Sequence, residues 1–152
     1  MQLDVSSTCL YVRHAFAGMD RVLDRLDDTT VNARPGSWGT NSVAGLIVHC
    51  CELSPSWFEM PGLGREGHRD RDAEFAANET VAELRARIVE ASDRTCELVE
   101  EFVVGPTASD HPFRAFMPGA DRTDGALVLH VLEELFQHLG HMDVTADALA
   151  AA

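Results

Sequence analysis

Apolar residues recur at steps of three and four along four stretches of the chain, the spacing of helices that bury one face. The first stripe is Cys9, Val12, Phe16, Met19, Leu23 and Leu26, with Ser6, Ser7 or Thr8 placed to cap its start. The stretch RPGSWGTNS breaks that rhythm with Pro35, Gly36 and Gly39. A second helix is predicted from Asn41 or Ser42 to about Glu59, with Leu46, His49, Leu53 and Trp57 on its stripe and Ile47 and Phe58 alongside. The third opens on TVAE, Thr80 to Glu83, which has the form of a capping box. Its stripe of Val81, Leu84, Ile88, Ala91, Thr95, Leu98 and Phe102 runs until Gly105 and Pro106 stop it. The fourth starts near Asp124 and runs towards the C-terminus.

No segment alternates convincingly like a strand, so the pattern predicts an all-α four-helix bundle. The connecting segments 61–79 and 105–123 are long enough for crossovers, so a simple up-down order does not follow. No repeat or boundary interrupts residues 1–152, and a single domain is expected.

Composition narrows the partners. A net charge of −13 excludes a nucleic-acid phosphate backbone, which needs a basic face, and an anionic membrane surface. No apolar run approaches the ~18 residues of a membrane span, and no basic-then-apolar leader opens the chain. A cytoplasmic protein is expected. Lysine is absent and all twelve cationic side chains are arginine, which removes lysine Schiff-base or general-base chemistry. Cys9, Cys50, Cys51 and Cys96 lack zinc-knuckle spacing and read as reduced thiols. Cys50 and Cys51 read as small buried hydrophobes, and Trp38 and Trp57 as packing residues.

The last predicted helix contains the stretch HVLEELFQHLGHMD, where its inward stripe runs Leu127, Val131, Glu134, His138, Met142 and Thr145. Glu134 and His138 stand where apolar residues are called for, and His49 does the same between Leu46 and Leu53. Left unpaired in a core, each such group costs roughly 1–3 kcal/mol, and an ionised glutamate much more. A divalent cation resolves the conflict. Side chains four apart leave one helix face about 5–6 Å apart at Cβ, which suits two ligands at about 2.0–2.2 Å from one ion. His49 would be the third ligand, leaving the open position of a catalytic site. Spacing alone also fits His130 with Glu134, or His138 with His141, as the pair on the last helix. A hydrogen-bonded core His49 and a solvated Glu133–Glu134 face are the bland alternatives. A di-iron centre is disfavoured, because Glu83, Glu90 and Glu97 repeat on a face expected to be solvated. Asp143 and Glu133 are candidates to orient ligand histidines. Arg65, Arg69 and Arg71 are candidates to line a substrate entrance.

The segment EELFQHLGHMD resembles the last-helix signature of the DinB-like helical bundles, and GTNSVAGLIVHCCELSPSWF resembles their second helix with its first histidine ligand. The similarity extends over LGREGHRDRDAEF and TVAELRARI and covers nearly the whole chain. Many members use three histidines. Glu134 at the middle position is similar to the mycothiol-dependent branch, which includes maleylpyruvate isomerase and mycothiol S-transferases. The chain is too short for the second domain of the isomerases, which counts against that activity.

The resemblance implies His49, Glu134 and His138 as metal ligands, with Glu134 and His138 catalytic. It implies one divalent ion, zinc first and nickel, iron or manganese as alternatives, and a small thiol, mycothiol, as co-substrate. Two neutral histidines and a carboxylate would leave the ion at net +1, and a thiol coordinated there loses its proton. The expected activity is thiol transfer to an electrophilic small molecule by a monomer or homodimer. The competing expectations are a metal-dependent hydrolase or isomerase, and a non-catalytic metal-binding bundle that regulates or binds a partner.

Overall fold

The computed structural model describes residues 4–36 and 40–151; Trp38 lies outside the described residues. Helix α1 (Val5–Leu23) is opened by Asp4, ahead of the hydroxyls expected to cap it. The Asp4 carboxylate accepts from the amides of Ser6 and Ser7 at 3.1 and 3.2 Å. It thereby satisfies two first-turn donors and places negative charge at the positive end of the helix dipole.

The Ser42 hydroxyl caps α2 (Val43–Trp57), accepting from Gly45 N at 3.1 Å. The helix ends short of Glu59 because Pro61 has no N–H for the carbonyl of Trp57. The chain widens there into a π-helical turn, Phe58–Gly62, and Leu63 N donates to Phe58 O at 2.8 Å. A short helix, α3 (Arg71–Phe75), stands in the segment expected to be loop. Five residues are too few to show a stripe. The capping box of Thr80 and Glu83 starts α4 (Val81–Val104), and Thr123 caps α5 (Asp124–Ala150). Every regular element among the described residues is helical.

Around the bundle the order is α1, α4, α2, α5. Arg85 reaches Asp24, and Cys9 meets Cys96, so α1 and α4 are antiparallel. Tyr11 packs on Phe136 and Arg25 pairs with Asp147, so α1 and α5 are parallel. Glu52 pairs with Arg87 and Ser54 bonds Thr95, so α2 and α4 are parallel neighbours. His49 faces His138 and Trp57 faces His130, so α2 and α5 are antiparallel. The four long helices therefore run up, down, down, up. Parallel α2 and α4 require the segment between them to return along the bundle.

That first crossover covers the outer face of α2, so every residue from Val43 to Cys51 is buried. Gly45 allows the close approach: a Cβ there would lie 3.2 Å from Phe75 O and 3.3 Å from Phe75 Cα. The remaining core comes largely from the predicted stripes, including Val12, Phe16, Leu84, Leu98, Phe102, Leu127, Val131 and Met142, with Leu135 beside the last of them. Leu26 and Val81, at stripe ends, are half-buried.

The second crossover, 105–123, is fixed by a residue the sequence reading passed over. Arg114 is wholly buried. Its Nε donates to Pro61 O at 2.7 Å, and its Nη1 donates to Arg122 O and Asp124 Oδ1, each at 2.8 Å. Its guanidinium carbon lies 5.9 Å from the Phe102 ring centroid, and Nη2 has no acceptor. One side chain thus ties the π-helical turn, the crossover and the start of α5 together. No helix among the described residues is long and apolar enough to cross a membrane.

Candidate metal centre

His49 is 2% exposed, midway along α2. Its Nδ1 lies 2.8 Å from Glu74 Oε2 on α3. Arg69 forks the same carboxylate, donating from Nε to Oε1 at 2.9 Å and from Nη2 to Oε2 at 2.7 Å. Arg69 Nη2 also stands 3.3 Å from His49 Nδ1. The shorter contact to an ionised acceptor decides the tautomer: Nδ1 carries the proton and donates to Glu74, leaving the lone pair on Nε2. Phe75 stacks on the imidazole, with centroids 4.6 Å apart. The first crossover thus grips His49 by hydrogen bond and by ring face. Burial pushes the imidazole below its ordinary pKa against the opposing pull of Glu74, so His49 is neutral at pH 7.

Glu134 and His138 leave α5 one turn apart, with His138 Nε2 3.2 Å from Glu134 Oε2. That contact holds the Glu134 carboxyl below the usual carboxylate range. The His138 ring meets His49 edge-on at 4.8 Å. One ligand atom each from His49, Glu134 and His138 lies within 4.8 Å of the other two.

This donor set fits a divalent cation. Two donors on one ion at 2.0–2.2 Å stand at most about 4.4 Å apart, within a few tenths of an ångström of the observed limit. Two imidazoles and a carboxylate are also the ligand types such ions take. His138 Nδ1 is buried without a partner. The two histidines therefore differ: His49 is oriented by a carboxylate, His138 by packing.

Of the other candidates on α5, His141 is exposed, its ring 6.4 Å from that of His138. His130 packs on Trp57 at 4.5 Å and places Nε2 3.8 Å from Glu134 Oε1, beside the group. Neither residue expected to orient the ligands does so. Asp143 pairs with Arg25 at 2.6 Å, and exposed Glu133 lies 3.5 Å from His130 Nδ1. The orienting carboxylate is Glu74, which sequence reasoning missed. It sits in an aperiodic segment 25 residues from its partner, and the only signal was the family likeness of LGREGHRDRDAEF.

Of the three loop arginines, Arg65 pairs with Glu101 and Arg69 with Glu74. All four cysteines are buried free thiols. Glu83, Glu90 and Glu97 are exposed on α4, as expected of a solvated face.

A family model described as mycothiol-S-transferase matches residues 9–150. No curated protein and no solved structure matches the chain. The matched span takes in α1 from Cys9 onward, the other three long helices, both crossovers and the His49–Glu134–His138 group. The chain belongs to the mycothiol S-transferase family.

Proposed function

We propose that the protein is a metal-dependent transferase that moves the sulfur of mycothiol onto an electrophilic carbon of a small molecule. The observation that carries this reading is the convergence of His49, Glu134 and His138 to within 4.8 Å from two helices, in a chain of this family. These residues would hold one divalent ion, zinc first by ligand type, with nickel, iron or manganese as alternatives. When bound, the ion supplies positive charge that draws the proton from a thiol, which is otherwise only a few per cent thiolate at neutral pH.

The chain's own residues prepare this. His49 presents Nε2 because Glu74 holds the proton on Nδ1. Glu134 and His138 complete the donor set and would be the catalytic residues, as the side chains that would hold the ion beside the reacting thiol. The Glu134 carboxylate would offset half the charge of a divalent ion held there, leaving a net positive site that favours an anionic sulfur. In the net reaction a carbon–sulfur bond forms and the bond to the leaving group breaks. The thiol proton departs with that group, or ends on the ring oxygen of an epoxide.

Purified protein is expected to carry about one divalent ion per chain by elemental analysis. His49→Ala and His138→Ala should each strip it and reduce mycothiol transfer to a chromogenic electrophile to background. Full metal and full activity in His138→Ala would overturn the ligand set. Turnover of the electrophile with water alone would assign hydrolysis instead.

A further inference from the structure

Beside the metal centre the end of α2 and the two crossovers border a solvent-open cleft of about 410 Å³. Its walls run against the composition of the chain. Trp57, Phe113 and Phe116 present aromatic surface and His68, Arg69 and Arg71 face it from the first crossover. No aspartate or glutamate lines it, although the sequence holds 25 acids to 12 arginines. The cavity shares two walls with the metal centre. Arg69 grips Glu74, the partner of His49. Trp57 packs on His130, which abuts Glu134.

Arg69 is committed to Glu74, but Arg71 is not committed to any acid. Among the described residues it forms no salt bridge, and its guanidinium carbon lies 5.7 Å from the Phe75 ring centroid. Phe113 and Phe116 are 45% and 77% exposed, apolar surface that a bound molecule would remove from water. An uncommitted guanidinium beside three aromatic rings suits a ligand with a flat apolar body and a carboxylate. A hydroxyl-rich group, such as the sugar portion of a thiol, suits it poorly. Each hydroxyl brings a donor that needs an acceptor, and guanidinium offers none.

We propose that this cavity seats the electrophile and selects molecules carrying an anionic carboxylate on an aromatic or apolar body. The carboxylate sits on Arg71 and the body on Trp57, Phe113 and Phe116. This rests on the reading of thiol transfer at the adjacent centre, in that it assigns the second substrate. The chain's overall negative charge repels anions at long range. Preference for an anion over its neutral counterpart therefore has to come from a local cation.

The test uses metal-free protein, so that a carboxylate cannot report by ligating an ion, and follows tryptophan fluorescence during titration with phenylacetate and with uncharged phenylacetamide. Phenylacetate should bind at least about tenfold more tightly, the gain from one charge-assisted pair. Arg71→Gln, checked for helicity by circular dichroism, should abolish that preference, and Arg71→Lys should restore part of it. Equal binding of the two probes, or an undiminished preference in Arg71→Gln, overturns the proposal. A parallel assay of metal-loaded wild type with mycothiol and an uncharged electrophile separates the two readings. Transfer without carboxylate preference defeats the cavity proposal alone. Carboxylate preference without any transfer supports the cavity and defeats the transferase reading.

Discussion

The two crossovers, 58–80 and 105–123, look alike in sequence: polar, broken by glycine and proline, and without a stripe. Each buries one ionic side chain, Glu74 at 5% exposure and Arg114 at 0%, yet the two are used in opposite ways. Glu74 has its charge offset by Arg69 and gives a lone pair to His49. Arg114 distributes its donors over Pro61 O, Arg122 O and the Asp124 carboxylate. The first arrangement sets the direction in which one imidazole presents its lone pair. The second holds chain segments at fixed distances. Burial of a charge therefore does not by itself mark a functional site; what marks it is whether the partner is a reactive side chain or the main chain.

Exchanging the expected outcomes would break this contrast. Arg114→Met should produce the larger effect, because it leaves the buried Pro61 carbonyl, the Arg122 carbonyl and the Asp124 carboxylate without their donor. The cost should be about 3–5 kcal/mol, read as a fall in melting temperature on the order of 10 °C. Metal bound per folded chain should not change. Glu74→Gln should do the reverse. It keeps the shape but weakens the acceptor that orients His49, and losing such a partner typically costs 10–100-fold in metal affinity. Competition against a chromogenic chelator measures this. The melting temperature of this variant should move less than that of Arg114→Met. A metal affinity unaltered by Glu74→Gln would make the first crossover mere scaffold as well.

The same contrast explains what could be read from the chain. The long helices were legible because each repeats its stripe over at least 15 residues. His49, Glu134 and His138 were legible because each interrupts one. Glu74 and Arg114 lie in segments with no pattern to interrupt, so nothing local sets them apart from exposed charges. Spacing alone left the choice among His130, His138 and His141 open, since spacing on one helix does not say which turn faces its neighbour, and the family resemblance pointed to His138. Topology sets which of them lies opposite His49. Because α2 and α5 are antiparallel, the eight-residue step from His49 to Trp57 runs opposite the eight-residue step from His138 back to His130. His49 therefore meets His138 at 4.8 Å, while Trp57 meets His130 at 4.5 Å. The up-down-down-up order that produces this register is a long-range property which no single stripe contains.

The smallest expected effect separates the helices from both crossovers by pH. Arginine does not lose its proton between pH 7 and 9, and a carboxylate does not regain one, so the crossover ion pairs should contribute no slope there. The buried thiols should. Burial pushes Cys50 and Cys51 well above the ordinary thiol value of 9.0, and Cys96 is pushed up to about 12. In the unfolded chain these thiols ionise near pH 9.0, whereas in the folded chain they keep their protons. Their contribution is therefore fully present below that pH and lost as pH rises past it. At pH 9.0 the loss is about 0.4 kcal/mol for each thiol, roughly 1 kcal/mol for the three. Urea midpoints at pH 7 and pH 9 should show that difference in wild type. They should show the same difference in Arg114→Met, because its lost bonds do not titrate in this range. The combined Cys50→Ala, Cys51→Ala, Cys96→Ala variant should lose the difference. If instead Arg114→Met flattened the slope, the second crossover would be titrating with the core, and its role as a pH-independent brace would have to be abandoned.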